Sequence, residues 1–184
     1  MDELYQKAEG KMQKTLASME QEFKGIRAGR ASAGVLDRIT VDYYGTQTPI
    51  NQMAAISTPE PRMLQIQPYD ASTLKSIEKA IQASDLGINP SNDGRILRLV
   101  FPAPTEERRR ELVKEVNRVG EEGKVAIRSI RRDALDKYKQ QKKDGELTED
   151  DLKNAENDIQ KLTDKYCKEA DDATARKAKE VTEL

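Results

Sequence analysis

Three stretches of this sequence repeat apolar residues at alternating steps of three and four positions, which is the spacing of one face of an α-helix. The first stretch covers residues 2–29, the second follows Thr105, and the third follows Thr148. A helix with one apolar face is not stable alone in water, so the three faces must be buried against one another. The pattern therefore predicts an elongated three-helix bundle, and it limits the fold more than any other feature of the chain.

The ends of the second and third stretches carry residues that favour helix termini. Thr105 and Thr148 are good N-cap residues, and acidic residues follow each of them in the first turn. The sequence Lys-Lys-Asp-Gly at 142–145 predicts the end of the second helix. The residues predicted to be buried are Leu4, Ala8, Met12, Leu16, Met19, Phe23 and Ile26 in the first helix, Leu112, Val116, Val119, Gly123, Ile127, Ile130, Ala134 and Tyr138 in the second, and Leu152, Ala155, Ile159, Leu162, Tyr166, Ala170 and Ala173 in the third.

Residues 31–104 lack this helical spacing. The segment 39–44 alternates β-branched and aromatic residues with others, which predicts a strand, and residues 45–47 predict a turn. Further strands are predicted at 54–57, 63–67 and 96–100, and a short helix is predicted at 71–84 behind an Asp70 cap. The fold class is therefore α+β: a small β/α/β domain (31–104) is inserted into a bundle made of residues 1–30 and 105–184.

An inserted domain requires the chain to pass between the two domains twice. Small side chains and a permissive glycine occupy the first passage, and two prolines restrict the backbone of the return. Two parallel connections permit rotation about one axis but not free tumbling. We therefore expect a two-stranded hinge formed by Ala31, Ser32, Ala33, Gly34, Pro102, Ala103, Pro104 and Thr105.

The composition argues against catalysis. The chain has no histidine, which is the commonest general base and metal ligand, and a single cysteine, Cys167. The glycines at 25, 29 and 34 do not form a phosphate loop, because no Gly-Lys-Ser/Thr sequence follows them. We expect no catalytic residue, no metal and no cofactor. No segment is apolar enough to span a bilayer and no signal peptide is recognisable, so we expect a cytoplasmic protein that does not bind membranes.

Charge is distributed unevenly although the net charge is only −1. Residues 105–143 carry thirteen basic and eight acidic side chains, whereas residues 144–184 carry seven and thirteen. This asymmetry indicates either a local anionic partner or two neighbouring helices that attract each other.

The basic residues of the second helix are the best candidates for a binding site. Lys124, Arg128, Arg131 and Arg132 are spaced so that they occupy one side of the helix, and Arg27 and Arg30 lie at the end of the first. Arginine binds phosphate through a planar fork and stacks on bases, so these six residues are candidates for RNA binding. The alternative is a solvated face that pairs with the acidic third helix.

Six blocks of the sequence resemble the ribosome recycling factor family in the family's order. They are Ile26-Arg-Ala-Gly-Arg-Ala31, Val41-Asp-Tyr-Tyr-Gly45, Glu78-Lys-Ala-Ile81, Ser84-Asp-Leu-Gly-Ile-Asn-Pro90, Pro104-Thr-Glu-Glu-Arg-Arg109 and Val125-Ala-Ile-Arg-Ser-Ile-Arg-Arg-Asp-Ala134. The resemblance implies an L-shaped molecule of transfer-RNA dimensions that binds the post-termination 70S ribosome. There elongation factor G, using GTP, drives separation of the subunits.

The resemblance also implies roles for particular residues. Arg27 and Arg30 match the family's glycine–arginine block, and Arg128, Arg131 and Arg132 match its arginine block, which implies contacts with large-subunit ribosomal RNA. The chain departs from the family at Ser129 and Leu135, where asparagine is frequent, and at Ala103, where the family has paired prolines.

Two other classes of function compete with this interpretation. A helical scaffold or chaperone would need an exposed apolar groove, yet each apolar face is already used inside the bundle. A hydrolase is the least supported, since the chain lacks the residues for it. We expect a monomer whose partners are the ribosome and elongation factor G.

Overall fold

The computed structural model describes residues 2–27, 29 and 31–183. These residues form two compact units. One, here called the helical unit, contains residues 2–27 and 106–183, and the other, the sheet unit, contains residue 29 and residues 31–105.

The helical unit is formed by two separate parts of the chain, and the sheet unit is formed by the residues between them. The elements are helix α1 (Glu3–Gly25), a 3-10 helix (Ala33–Leu36), strands β1 (Thr40–Tyr43) and β2 (Thr46–Pro49), helix α2 (Ile50–Met53), strands β3 (Ala54–Glu60) and β4 (Met63–Pro68), a second 3-10 helix (Ala71–Thr73), helix α3 (Leu74–Gln82), strands β5 (Ser91–Asn92) and β6 (Leu97–Val100), and helices α4 (Glu106–Lys143) and α5 (Glu149–Thr182). The predicted α+β fold class is confirmed.

Helices α1, α4 and α5 bury their apolar faces in a common core. At 1.5 Å per residue, α4 and α5 are about 57 and about 51 Å long. Most of the predicted stripe residues are buried, including Met12, Ile127 and Ile159, each of them fully. Predicted residues that are only half-buried are Leu4, Leu16, Ile130, Leu152 and Ala155.

The connection between α4 and α5 follows the predicted termini. Gly145 adopts a φ of 77°, and its N–H donates to the carbonyl of Lys142 at 3.0 Å, which ends α4 in a left-handed cap. Thr148 and Asp151 form a capping box at the start of α5, in which each side chain accepts from the other residue's backbone N–H at 3.1 Å. The predicted end at 142–145 and the predicted cap at Thr148 are confirmed.

Two glycines on α4 allow its neighbours to approach closely. A Cβ atom added at Gly120 would overlap the hydroxyl of Thr174 on α5. A Cβ atom at Gly123 would lie 2.8 Å from the sulfur of Met19 on α1. Since real Cβ atoms do not make such short contacts, close packing of α4 against the short Thr174 side chain depends on Gly120, whereas a side chain at position 123 would require the flexible Met19 side chain to move.

The sheet unit contains a four-stranded antiparallel sheet of order β3-β4-β6-β5 and a separate β1-β2 hairpin. Strands β4 and β6 alternate buried and more exposed residues, and α3 supplies its own apolar face to the same core. Core side chains with at most 1% exposure include Leu36, Ile50, Leu64, Ile66, Ile77, Ile81, Leu97 and Leu99.

The predicted turn at 45–47 is wrong in its position. The two central turn residues are Tyr44 and Gly45, with φ values of 50° and 84°, while Thr46 and Gln47 belong to β2. A two-residue turn of this kind requires positive φ at both positions, and sequence alone does not favour tyrosine there. The single helix predicted at 71–84 is instead a 3-10 helix followed by α3.

The first predicted hinge segment is bound within the sheet unit. The N–H of Ala31 donates to the carbonyl of Pro61 at 2.8 Å, and the Ser32 hydroxyl accepts from the N–H of Gly34 at 3.3 Å. The 3-10 helix that begins at Ala33 then inserts Leu36 into the core.

In the first connecting segment, position 29 requires a glycine and position 34 does not. Gly29 has a φ of 73°, a conformation that residues with a side chain rarely adopt. A Cβ atom there would lie 3.4 Å from the carbonyl oxygen of Pro102 and 3.5 Å from Cδ of Pro104. The outgoing and returning segments are therefore in contact at this point.

Candidate nucleic-acid interface

The four basic residues predicted on α4 form two pairs, one that faces α5 and one that is exposed to solvent. At about 100° per residue, Lys124, Arg128, Arg131 and Arg132 span about 100° around the helix axis. Lys124 and Arg131 lie at the edge that faces α5, and both are half-buried. Arg128 and Arg132 lie further round and are exposed.

Lys124 is neutralised by the helical unit itself. Its ammonium nitrogen lies 2.8 Å from Oε1 of Glu121 and 2.9 Å from Oδ1 of Asp171 on α5, and only 17% of its side chain is exposed. The hydrogen bond with Glu121, followed by that with Asp171, raises the pKa of Lys124. This residue therefore pairs with the acidic third helix.

Arg131 is engaged on one side of its guanidinium. Its Nη1 donates to Oε1 of Gln160 at 2.6 Å, and Gln160 in turn donates to Asp164 at 2.9 Å. Its Nε is buried and has no hydrogen-bond acceptor within the described part of the chain. The side chain thus links α4 to α5.

Arg128 and Arg132 remain available to a ligand. Neither makes a hydrogen bond or an ion pair with any of the residues described, and the two are one turn apart on the exposed side of α4. Side chains four positions apart are neighbours on a helix, so the two guanidinium groups can act together on adjacent phosphates.

Arg27 is exposed just beyond α1, but it is distant from this pair. The hydroxyl of Tyr138 donates to Asp2 at 2.6 Å and Gly123 lies against Met19, so α1 and α4 are antiparallel. Continuing this register places Arg27 about 13 positions from Arg128 along α4, or about 20 Å. Arg30, the other predicted residue of this group, lies outside the described residues.

The structure adds basic residues that the prediction missed. Arg110 and Lys114 precede Arg128 and Arg132 by 18 positions, which is five full helical turns, and both are exposed. Extending the helical period along α4 would have found them. The exposed basic face of α4 carries Arg110, Lys114, Arg128, Arg132 and Lys139, and Glu121, which pairs with Lys124, lies on the same face.

An acidic face lies about a quarter turn away on the same helix. It contains the exposed residues Glu111, Glu115, Glu122, Asp133 and Asp136. Phosphates are attracted to one of the two faces and repelled by the other, so α4 can meet RNA in one orientation.

Features of other kinds of site are not found among the residues described. Within residues 2–27, 29 and 31–183, no three carboxylate or cysteine side chains are placed so that they could hold a metal ion, and no helix is long and apolar enough to cross a membrane. Burial raises the pKa of the half-buried Cys167 thiol, which disfavours its reactive thiolate.

Comparison with known proteins identifies relatives of the whole chain. The family model for ribosome recycling factor matches residues 19–181. The ribosome-recycling factor of Acetivibrio thermocellus is 60% identical over 184 residues, and that of Caldicellulosiruptor bescii is 56% identical over 184 residues, with 100% of both chains covered in each case. That of Streptococcus agalactiae serotype III is 57% identical over 182 residues, covering 99% of this chain and 98% of the relative.

Solved structures give the same result. A solution structure of a ribosome recycling factor matches all of both chains with a TM-score of 0.66 and 37% identity. A second match covers 97% of both chains with a TM-score of 0.57 and 47% identity. It belongs to models for the T. thermophilus ribosome recycling factor and the E. coli elongation factor G bound to the E. coli post-termination complex.

Proposed function

Because the chain belongs to the ribosome recycling factor family, we propose that it binds the post-termination ribosome and, with elongation factor G and GTP, promotes dissociation of the subunits. It acts without catalysing a reaction of its own, and hydrolysis of GTP is assigned to elongation factor G. The similar structure that contains both factors on a post-termination complex supports this assignment.

The observation that carries the proposal is the pair of exposed arginines on α4. Arg128 and Arg132 have no partner among the described residues, although many charged side chains of the helical unit are paired with their neighbours. A charged group that makes no hydrogen bond or ion pair within the described part of the fold is available for an external ligand. Phosphate is the ligand that the planar guanidinium fork fits best.

The six residues predicted to bind RNA take different parts in this proposal. Arg128 and Arg132 contact ribosomal RNA of the large subunit directly. Arg131 and Lys124 hold α5 against α4 and thereby fix the surface that carries these two. Arg27 provides a second contact about 20 Å away along α4, and Arg30, which lies outside the described residues, keeps the RNA-binding role predicted from the sequence.

We propose that the helical unit anchors the protein while the sheet unit is pushed by elongation factor G about a hinge. The hinge predicted from the sequence comprises Ala31, Ser32, Ala33, Gly34, Pro102, Ala103, Pro104 and Thr105; of these, residues 31–34 are held within the sheet unit and move with it. The close approach of Gly29 to Pro102 and Pro104 supports this, because the two connecting segments lie side by side at this point.

Replacing the hinge prolines tests this motion. Alanine at Pro102 and Pro104 loosens the returning segment, so we expect subunit separation to slow by roughly threefold or more with little change in 50S affinity, as for a gating rather than a binding defect. Light scattering reports separation and co-sedimentation reports affinity. Unchanged separation by the double variant would contradict the hinge.

The RNA contact is tested by Arg132→Ala in co-sedimentation with purified 50S subunits over a range of salt concentrations. Loss of one phosphate contact should weaken binding by about 1–3 kcal/mol and reduce the log–log salt slope by about one. The melting temperature should not change, since the side chain has no partner among the described residues.

Arg118→Ala is the matched control. Arg118 lies on the same helix and is also exposed, but it pairs with Glu122 at 2.8 Å on the acidic face. Its replacement removes the same charge while leaving the basic face of α4 intact, so 50S affinity should stay close to that of the wild type. Equal affinities of Arg132→Ala and the wild type would exclude Arg132 as a contact.

A further inference from the structure

The sheet unit exposes aromatic side chains that its core does not use. Tyr44 is 84% exposed and Tyr69 is 73% exposed, the highest values for large hydrophobic residues in the described part of the chain. Aromatic rings usually contribute to folding by being buried, and exposed clusters of them mark surfaces that bind partners.

Tyr44 is also held in an unfavourable backbone conformation. Its φ of 50° places it in the left-handed region, where asparagine or glycine would serve the β1-β2 turn better. Its ring stands edge-on to that of Tyr43, with centroids 4.6 Å apart. Neither the turn nor the core needs a tyrosine at this position, which suggests that an external contact does.

Tyr43 and Tyr69 line a cavity of the sheet unit, and the ring of Tyr44 contacts that of Tyr43 beside it. Gln52, Asp70 and Thr73 complete its polar walls, and its volume is about 170 Å³. Pockets for cofactors and drug-sized ligands measure roughly 300–1,000 Å³, so this one is suited to a single side chain rather than to a nucleotide.

The charge of this pocket favours a cation. Oδ1 of Asp70 accepts hydrogen bonds from the hydroxyl of Ser72 at 2.7 Å and from its N–H at 2.9 Å, which hold the pKa of Asp70 below its usual value. The carboxylate is therefore charged at neutral pH. Asp42, in the adjoining hairpin, caps the N–H of Gly45 at 2.9 Å. Among the described residues that line the pocket there is no lysine or arginine.

We propose that this tyrosine pocket docks an arginine side chain of a protein partner. The guanidinium stacks on the tyrosine rings, and its N–H groups donate to the carboxylate of Asp70 and the amide oxygen of Gln52. Tyr44 lies at the edge and covers the backbone of the docked segment. The interaction goes beyond the proposed RNA contact, because the pocket lies wholly in the sheet unit and has the opposite charge.

Titration of the full chain, labelled on tyrosine, with a blocked pentapeptide Gly-Arg-Gly-Arg-Gly tests the proposal by NMR. The same peptide with citrulline in place of arginine keeps the shape and removes the charge. A uridine hexanucleotide provides the RNA arm. We expect saturable shifts of the Tyr43, Tyr44 and Tyr69 signals with the arginine peptide, and at least fivefold weaker binding of the citrulline peptide.

Two variants locate the interaction. Asp70→Asn keeps the oxygen that caps Ser72 and removes the charge, so it should weaken arginine-peptide binding at least fivefold. Tyr44→Asn removes the aromatic ring, so it should weaken binding about threefold. It also gives the turn an Asn-Gly pair, which this turn type favours, so the melting temperature should stay the same or rise. Asp85→Asn and Val100→Thr change an exposed charge and an exposed apolar residue of the same unit, and both should bind as the wild type does.

Three results would overturn the proposal. They are equal binding of the citrulline peptide, tyrosine shifts produced by the RNA hexamer instead of the peptide, and wild-type affinity of Asp70→Asn. If Asp70→Asn lowers the melting temperature, the comparison of the arginine and citrulline peptides on the unaltered chain still decides the question. None of these outcomes depends on ribosome binding, so they leave the function proposed above separately testable.

Discussion

Lys124 and Arg128 are one turn apart on α4, yet they have different surroundings. Lys124 lies against α5 and is paired with two carboxylates, whereas Arg128 is exposed and has no partner among the described residues. A rotation of about 40° around the helix axis separates a charge that stabilises the fold from one that is available to a ligand. In a basic helix, the position of the neighbouring helix therefore decides which cations can bind RNA.

Among substitutions on the packed side of α4, we expect the largest loss of folding stability at Gly120. Gly120→Val would force α4 and α5 apart, because even a Cβ atom overlaps Thr174. We expect a loss of about 3 kcal/mol in the free energy of unfolding, as for an overpacked core. Urea denaturation measures it.

Gly10→Ala is the control for Gly120→Val, because a Cβ atom at Gly10 meets nothing within 4 Å. It should stabilise α1 by about 0.5–1 kcal/mol, since alanine is the better helix former. A Gly120→Val chain as stable as the wild type would show that α4 and α5 need no close approach.

The sequence allowed the packed side of α4 to be predicted in more detail than its exposed side. Helical period alone identifies Val116 and Ile127 as buried, since one apolar stripe can have only one core to face. It also places Lys124 and Arg128 on the same side. It does not reveal that Asp171 reaches Lys124, because that depends on the register between α4 and α5.

In the sheet unit, the residue preferences of strands, caps and turns predicted some elements correctly and misplaced others. The β1 strand and the Asp70 cap are confirmed, but the turn was misplaced because Tyr44 contradicts the residue preference of its own conformation. The tyrosine pocket could not be predicted either. It is made by residues from β1, from the segment after β4 and from α2, which only the tertiary fold brings together.

A second test of the packed side concerns the buried Tyr138. Burial, followed by its hydrogen bond to Asp2, raises the pKa of Tyr138 above the ordinary value of 10.0. The unfolded chain therefore loses this proton before the folded chain does. The stabilisation is complete below pH 10 and decreases as the pH rises above that value.

Tyr138→Phe should remove this contribution. We expect a loss of about 1 kcal/mol at neutral pH, since one hydrogen bond is removed, and a smaller decrease in stability above pH 10 than in the wild type. Urea denaturation at pH 7–11 measures both. An identical alkaline profile for the two chains would show that Tyr138 does not titrate differently on folding.

The smallest expected effect on folding stability distinguishes Lys124 from Arg128 directly. Lys124→Met keeps the packed stem and removes the charge, so it should cost about 0.5–1 kcal/mol of folding stability, a value that falls at high salt. Arg128→Met should cost none, because no described residue pairs with Arg128. Affinity for 50S subunits should show the reverse order: Lys124→Met binds almost as the wild type does, and Arg128→Met binds about tenfold more weakly, as for loss of one charge-assisted contact. If both variants lost affinity equally, the cation held by Glu121 and Asp171 would have to leave these carboxylates to reach the RNA, and the division of α4 into a structural and a binding side would fail.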